Sequence, residues 1–236
     1  MWQTLGKTLE NGKLYGTGTG PGDPGLITLN AIRTIEKCDY IAVPNIVKEK
    51  ALSYQIALAA VPQVKDKKCI CVDMPMVKDK NILEESHIKA ADKIAAVLVK
   101  GHDIAFLTLG DPSIYSTYIY IHNKIKSMGY QTEIISGVPS FCAASALLDE
   151  GLVAGSSELH IIPSSYGIDK ALELPGTKVL MKAGRKLPVI KEKLQQNNIS
   201  AVLVENCGMV NEHIYNCTGN IPESAGYYSL VIIKEE

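Results

Sequence analysis

The sequence predicts an α/β protein built from two α/β domains. In the first half, short β-rich runs alternate with longer helical patterns, the order that gives a parallel sheet with flanking helices. In the second half, strand candidates follow one another closely, which favours a mixed or antiparallel sheet. The length of 236 residues and the 46% hydrophobic content are sufficient for two cores of this kind.

The first half contains five strand candidates and four helix candidates. Strands are predicted at residues 13–18, 40–43, 69–72, 103–109 and 133–135. Helices are predicted at residues 26–38, 49–61, 83–100 and 113–127. The run at 103–109 is almost uninterruptedly apolar, as expected for a strand whose sheet is covered on both faces.

The second half contains five further strand candidates, at residues 158–162, 178–181, 201–205, 213–216 and 228–233. A short helix is predicted at 141–148, and only residues 187–196 have a strong helical pattern between the strands. The change in character places the domain boundary near residues 136–138. We therefore predict an N-terminal domain of residues 1–136 and a C-terminal domain of residues 137–236.

Composition argues against several classes of protein. The formal net charge is -1 and no basic block occurs, so no nucleic-acid partner is expected. No apolar run reaches the roughly 18 residues of a membrane span, and the first residues lack the apolar core of a secretory signal. Together these features predict a cytoplasmic protein without a membrane partner.

The six cysteines do not predict a metal site. Most lie in apolar surroundings, which is typical of small buried residues in a reducing compartment. Cys69 and Cys71 have the spacing that puts both on one face of a strand, but a metal centre would need two more ligands. We expect no bound metal.

A glycine-rich turn at residues 16–25 joins the first strand to the first helix. In a parallel sheet this is the carboxyl end of a strand, where ligands usually bind. Gly20, Gly22 and Gly25 fit a dinucleotide-binding spacing, so an NAD-type oxidoreductase is one alternative. Pro21 and Pro24 weigh against it because each removes a backbone donor that a phosphate would need. A tight turn with no ligand is the other alternative.

Two more turns of this kind follow later strands. Gly110-Asp111-Pro112 comes directly after the apolar strand, and residues 136–140 follow the next one. Asp111 is expected either to cap the following helix, with Pro112 in its first turn, or to hold a polar ligand. Tyr115 lies a turn beyond Asp111 and is a candidate lining residue. The three turns are expected to converge at one edge of the parallel sheet.

Taken together, these turns resemble the motifs of the tetrapyrrole (corrin/porphyrin) methylase family. The family pattern is a GxGPGDP turn, a central GDP segment and a later GVTS-like segment, matched here by residues 18–24, 110–112 and 137–140. The resemblance runs from about Leu14 to Ile233. The stretches at 106–118 and 203–209 are similar to those of family members that methylate carbon 20 of precorrin-2.

The resemblance implies a fold, a cofactor and a set of contacts. The family has two α/β domains with a cofactor cleft between them, its members are usually homodimers, and they use S-adenosylmethionine, releasing S-adenosylhomocysteine. The residues at the matching cofactor-binding positions are Pro21, Leu109, Gly110, Asp111, Ile114, Pro139, Ser140, Lys182, Cys207 and Ser229. Pro139 stands where relatives often have threonine, and Lys182 where several have methionine.

The activity implied is methyl transfer to carbon 20 of precorrin-2 or cobalt-precorrin-2 in cobalamin biosynthesis. Methylation at another position of a related tetrapyrrole, and a module that binds without chemistry, are the remaining alternatives. Asp111, Tyr115 and Glu205 are candidate proton acceptors, and none is assigned as a catalytic residue. Lys182, Arg185 and Lys186 form a basic cluster that either faces the carboxylates of the substrate or is a solvated loop.

Overall fold

The structure is a computed structural model that describes residues 11–163 and 166–234. Contacts between Cα atoms divide the chain into two compact units. Unit 1 contains the described residues up to Gly20 together with Pro24–Val138, and unit 2 contains Pro21–Asp23 and the described residues from Pro139 onward. The domain limits given above, at residues 136 and 137, stay a prediction.

Unit 1 is built around a parallel sheet, as predicted. Its strands are β1 (Leu14–Gly18), β2 (Tyr40–Val43), β3 (Lys68–Cys71), β4 (Ile104–Thr108) and β5 (Thr132–Ile135), in the spatial order β3-β2-β4-β1-β5. Every neighbouring pair is parallel. The helices are α1 (Leu29–Lys37), α2 (Leu52–Ala60), α3 (Lys80–Leu98) and α4 (Tyr118–Ser127).

Both faces of this sheet are buried because its apolar residues alternate between two helical layers. Ile41 and Leu107 pack with α1 and α2 in one core cluster. Leu14 and Phe106 pack with α3 and α4 in the other. This arrangement explains the unbroken apolar pattern of β4, all of whose residues are buried.

Unit 2 contains a mixed sheet, also as predicted. Its strands are β6 (Leu159–Pro163), β7 (Thr177–Met181), β8 (Val202–Glu205), β9 (His213–Tyr215) and β10 (Ser229–Ile233), in the order β6-β7-β10-β8-β9. Only β6 and β7 are parallel to each other. Its helices are α5 (Ser140–Leu147), α6 (Ile168–Leu172) and α7 (Leu187–Gln196). The core is formed by α6 and α7 against one sheet face.

Two helix predictions need correction. The helix predicted at 113–127 begins only at Tyr118, because Tyr115 has a positive φ of 46° that is incompatible with a helix. The short helix α6 was not predicted, since its five residues include only one buried side chain and give no periodic signal. Among the described residues, no helix has the length and apolar character needed to cross a membrane.

Candidate functional site

The three glycine-containing turns of unit 1 meet at the carboxyl edge of its sheet, the edge at which its parallel strands end. Strand β1 lies between β4 and β5, so the turns that follow Gly18, Thr108 and Ile135 are neighbours. The backbone N–H of Thr19 donates to the carbonyl of Thr108 over 2.9 Å. The predicted convergence of the turns is therefore present in unit 1.

The backbones of these turns touch at positions where only glycine fits. A Cβ placed on Gly18 would lie 2.6 Å from the carbonyl oxygen of Gly110 and 2.7 Å from the Cα of Gly137. A Cβ on Gly137 would lie 2.2 Å from the same Gly110 oxygen. Gly110 itself has a φ of 69°, and its N–H donates to the carbonyl of Gly20 over 2.8 Å. The spacing leaves bare backbone at this edge, which a ligand can approach closely.

Asp111 joins two of these turns through its carboxylate. The side chain is 7% exposed. Its Oδ1 accepts hydrogen bonds from the backbone N–H of Ser113 at 2.7 Å and from the Ser113 hydroxyl at 2.5 Å. Its Oδ2 accepts from the N–H of Gly137 at 2.9 Å. The prediction that Asp111 caps the following helix is wrong, because α4 starts seven residues later and has no side-chain cap.

Leu109 and Ile114 flank Asp111 and are both half-buried. The N–H of Ile114 donates to the carbonyl of Asp111 over 3.3 Å, which closes a tight turn between the two apolar side chains. Tyr115 is 45% exposed. Leu109, Gly110, Asp111 and Ile114 therefore lie together in one short segment at the carboxyl edge of unit 1.

In unit 2, the Pro21–Asp23 segment packs against the turn after β8. A Cβ on Gly22 would lie 2.3 Å from the carbonyl oxygen of Cys207, and a Cβ on Gly208 would lie 2.5 Å from the backbone nitrogen of Asp23. Gly208 has a φ of 77°, and its N–H donates to the Glu212 carboxylate over 2.6 Å. Pro21 and Cys207, two of the predicted contacts, therefore belong to adjacent backbone segments.

Lys182 and Ser229 form a second group in unit 2. Lys182 follows β7 with a φ of 59°, and its ammonium lies 5.5 Å from the centre of the Tyr227 ring. Ser229 is 1% exposed, and its hydroxyl donates to the carbonyl of Gly226 over 2.6 Å. The N–H of Ala183 donates to the carbonyl of Ser229 over 3.1 Å, so the two segments are joined directly.

Pro139 and Ser140 form the start of α5 in unit 2. Pro139 has a φ of -68° and stands immediately before the helix, where its missing N–H costs nothing. Its carbonyl accepts hydrogen bonds from Cys142 and Ala143. Both residues are half-buried.

The candidate proton acceptors differ in their surroundings. Both carboxylate oxygens of Asp111 accept hydrogen bonds, as described above, and Glu205 Oε1 accepts from the backbone N–H of Gly226 at 2.5 Å. Burial raises the pKa of the Cys207 thiol to about 11, with a smaller contribution from Glu212. The thiol is therefore protonated at neutral pH and is not an activated nucleophile.

Cysteine chemistry does not add a metal centre to the part of the chain that the structure describes. The sulfurs of Cys69 and Cys71 are 3.9 Å apart on β3, as their spacing predicts. No group of three or more His, Cys, Asp or Glu side chains suited to a metal ion occurs among the described residues. The six cysteines are all free thiols.

Two glycines outside the predicted set of contacts are essential to the geometry. Gly18 and Gly137 allow the contacts with Gly110, and Gly137 also donates to Asp111. The sequence motifs include both glycines but do not show that they touch, because Gly137 is far along the chain from the other two. The signal that identifies them is their placement directly after adjacent strands of a parallel sheet.

Comparison with known proteins identifies one group of relatives. The family model described as Tetrapyrrole (Corrin/Porphyrin) Methylases matches residues 13–221. The chain is 33% identical, over 94% of its own length and 96% of the relative's, to a probable cobalt-precorrin-2 C(20)-methyltransferase of Methanocaldococcus jannaschii. It is 27% identical to the cobalt-precorrin-2 C(20)-methyltransferase of Salmonella typhimurium, over 96% of this chain and 98% of that one.

Solved structures share the fold. A uroporphyrin-III C-methyltransferase from Thermus thermophilus, in complex with S-adenosylhomocysteine, superimposes with a TM-score of 0.67 at 19% identity, covering 95% of this chain and 98% of the other. A cobalt precorrin-4 methyltransferase superimposes with a TM-score of 0.68 at 18% identity, covering 94% of each chain.

Proposed function

The chain belongs to the tetrapyrrole (corrin/porphyrin) methylase family, and from that premise we propose that it transfers a methyl group from S-adenosylmethionine to carbon 20 of precorrin-2 or cobalt-precorrin-2. The substrate and the position come from the names of relatives that match nearly the whole chain. The reaction belongs to cobalamin biosynthesis. The relatives and solved structures give no support to the NAD alternative.

The observation that carries the cofactor proposal is the contact between Gly18, Gly110 and Gly137, held by the Asp111 carboxylate. These glycines leave the carboxyl edge of a parallel sheet without side chains, which suits close approach of a small ligand. The proposed contacts in unit 1 are Leu109, Gly110, Asp111 and Ile114. Those in unit 2 are Pro21, Pro139, Ser140, Lys182, Cys207 and Ser229.

We assign most of these residues a role through their backbone. Gly110 and Lys182 both have positive φ values, of 69° and 59°, which turn their peptide groups out of the strand direction. Leu109 and Ile114 offer half-buried apolar surface beside Asp111. The protonated Cys207 thiol adds a small neutral contact.

The chemistry requires little covalent participation by the protein. When bound, S-adenosylmethionine supplies a methyl group that is already activated on a sulfonium. The chain's residues then contribute by orienting the reactants and excluding water, which together account for large rate factors in enzymes. Asp111 is a positioning residue, because its carboxylate holds the two turns together. No residue is assigned as a catalytic base.

We further propose that the protein is cytoplasmic and acts as a homodimer. Six free thiols in the described chain fit a reducing compartment. The dimer rests on the family resemblance, and light scattering of the purified protein measures it directly. A monomer mass would reject the dimer without affecting the cofactor site.

Incubation of the purified protein with S-adenosylmethionine and precorrin-2, with and without cobalt, tests the activity. We expect the mass of one tetrapyrrole to rise by one methyl group, with release of an equal amount of S-adenosylhomocysteine. No mass gain with either substrate would reject the precorrin-2 assignment. A gain only with a different tetrapyrrole would favour a family member of other position specificity.

A further inference from the structure

The turn that follows β7 carries a compact basic cluster. Arg185 and Lys186 are exposed and lie in a 3-10 turn that spans Gly184–Lys186, directly after Lys182 and Ala183. Neither Arg185 nor Lys186 forms an ion pair with a carboxylate in the described part of the chain, whereas Lys191 and Lys193 nearby are paired with Glu223 and Asp169.

The backbone of this turn is held in place by close packing. A Cβ on Gly184 would lie 2.1 Å from the carbonyl oxygen of Gly226, so only glycine permits the approach. The N–H of Lys186 donates to the carbonyl of Ala183 over 2.9 Å, and Ala183 is itself bonded to Ser229. The exposed basic side chains therefore start from a fixed backbone rather than from a loose loop.

The turn is continuous with residues of the proposed cofactor site. Lys182 and Ser229 are both among the proposed contacts, and Arg185 is three residues beyond Lys182. Because consecutive Cα atoms are about 3.8 Å apart, the backbone of Arg185 lies within about 11 Å of that of Lys182. A substrate that receives a methyl group from the cofactor must come close to this segment of unit 2.

We propose that Arg185 and Lys186 bind carboxylate side chains on the rim of the tetrapyrrole, an inference that rests on the proposed function. The guanidinium of Arg185 matches a carboxylate with two parallel hydrogen bonds, and the ammonium of Lys186 provides a second positive charge. The chain as a whole has a net charge of -1, so attraction of a polyanionic substrate requires a local basic surface such as this.

Substitution of Arg185→Gln and Lys186→Gln, singly and together, tests the assignment. Lys170→Gln is the matched control, because Lys170 is an exposed lysine on α6 of the same unit. Steady-state kinetics give KM for precorrin-2 and kcat, and calorimetry gives Kd for S-adenosylhomocysteine. We expect the double variant to raise KM at least tenfold, the loss typical of a charge-assisted hydrogen bond, with kcat and Kd nearly unchanged.

Two further measurements sharpen the test. Arg185→Lys keeps the charge but loses the paired geometry, so it should recover only part of the KM. Added salt should raise KM for the wild-type protein and have a smaller effect on the double variant. A structural role would not change the salt dependence.

Each contrary outcome has a distinct meaning. If the wild-type protein methylates precorrin-2 and the double variant has the KM of Lys170→Gln, the cluster is a solvated loop and the inference is wrong. If Kd for S-adenosylhomocysteine rises with KM, the side chains act on the cofactor site and the inference is also wrong. If the wild-type protein methylates neither substrate, the proposed function fails and this inference fails with it.

Discussion

Asp111 shows how a residue identified by a local motif acquires its role from a distant partner. The motif Gly-Asp-Pro predicts a functional aspartate, and the structure places its carboxylate between Ser113 and Gly137. The sequence could not predict the second contact, because Gly137 follows another strand and becomes a neighbour only when β1 and β5 pair. The local alternative, a helix cap, is wrong for the same reason: the carboxylate is already fully occupied.

Replacement of Asp111 by alanine should therefore affect both stability and cofactor binding. The change leaves the buried N–H of Gly137 without its acceptor, which is expected to lower the free energy of unfolding by about 2 kcal/mol. Because the Gly110 and Gly137 turns lose their connection, we also expect Kd for S-adenosylhomocysteine to rise about tenfold or more. Chemical denaturation and calorimetry measure the two quantities.

Asp79→Ala is the matched control for this variant. Asp79 caps α3 in the same unit, and its Oδ1 accepts from Asn81 and Ile82 at 2.8 and 3.3 Å. Its loss should cost about 1 kcal/mol without changing the affinity for S-adenosylhomocysteine. Equal affinities in the two variants would show that Asp111 has a purely structural role.

At the scale of secondary-structure elements, strong periodic patterns were predicted well and local turn chemistry was not. The strand Tyr40–Val43 and the helix Leu187–Gln196 have the predicted bounds. The start of α4 was misplaced because Ser116 and Tyr115 form their own turn: the Ser116 hydroxyl accepts from the N–H of Tyr118 at 3.2 Å. Such side-chain hydrogen bonds compete with a helix and leave no trace in hydrophobic periodicity.

The packing of α3 on α4 predicts a dependence of stability on pH. His87 of α3 stacks on Tyr120 of α4, with ring centres 4.8 Å apart, and burial lowers the pKa of His87 below its ordinary value of 6.5. The unfolded chain therefore binds the proton more strongly than the folded chain. Stability should fall as the pH drops from about 6.5 through the lowered pKa of His87.

His87→Phe keeps an aromatic ring against Tyr120 but removes the titrating group. We expect its free energy of unfolding to decline less than that of the wild-type protein between pH 7 and about pH 5. The exposed His213 provides the control, and His213→Phe should follow the wild-type curve. Identical slopes for His87→Phe and the wild type would refute the link between this burial and acid sensitivity.

At the scale of the whole molecule, the fold class and family followed from the sequence, but the assignment of Pro21–Asp23 to unit 2 did not. Those residues continue a turn that begins in unit 1, and nothing local separates them. Their placement depends on backbone contact with Cys207 and Gly208, which lie far along the chain. Contacts of this kind arise from tertiary packing, so a motif that joins two units cannot be divided by its pattern alone.

The ligand preference of the intact protein follows from its first turn. Pro21 and Pro24 remove backbone donors that a dinucleotide phosphate requires, so NAD should not bind. S-adenosylhomocysteine should bind with a Kd on the order of micromolar, a strength common for small-molecule sites. Calorimetric titration with each ligand distinguishes the two. Binding of NAD without binding of S-adenosylhomocysteine would overturn the cofactor assignment.

The position of the transferred methyl group tests the central claim most directly. The protein is supplied with precorrin-2, or its cobalt form, and S-adenosylmethionine labelled with carbon-13 in its methyl group, and the product is examined by NMR. We predict a single labelled methyl group attached to the bridging carbon 20. A label on any other carbon, or no label in the tetrapyrrole, would contradict the account.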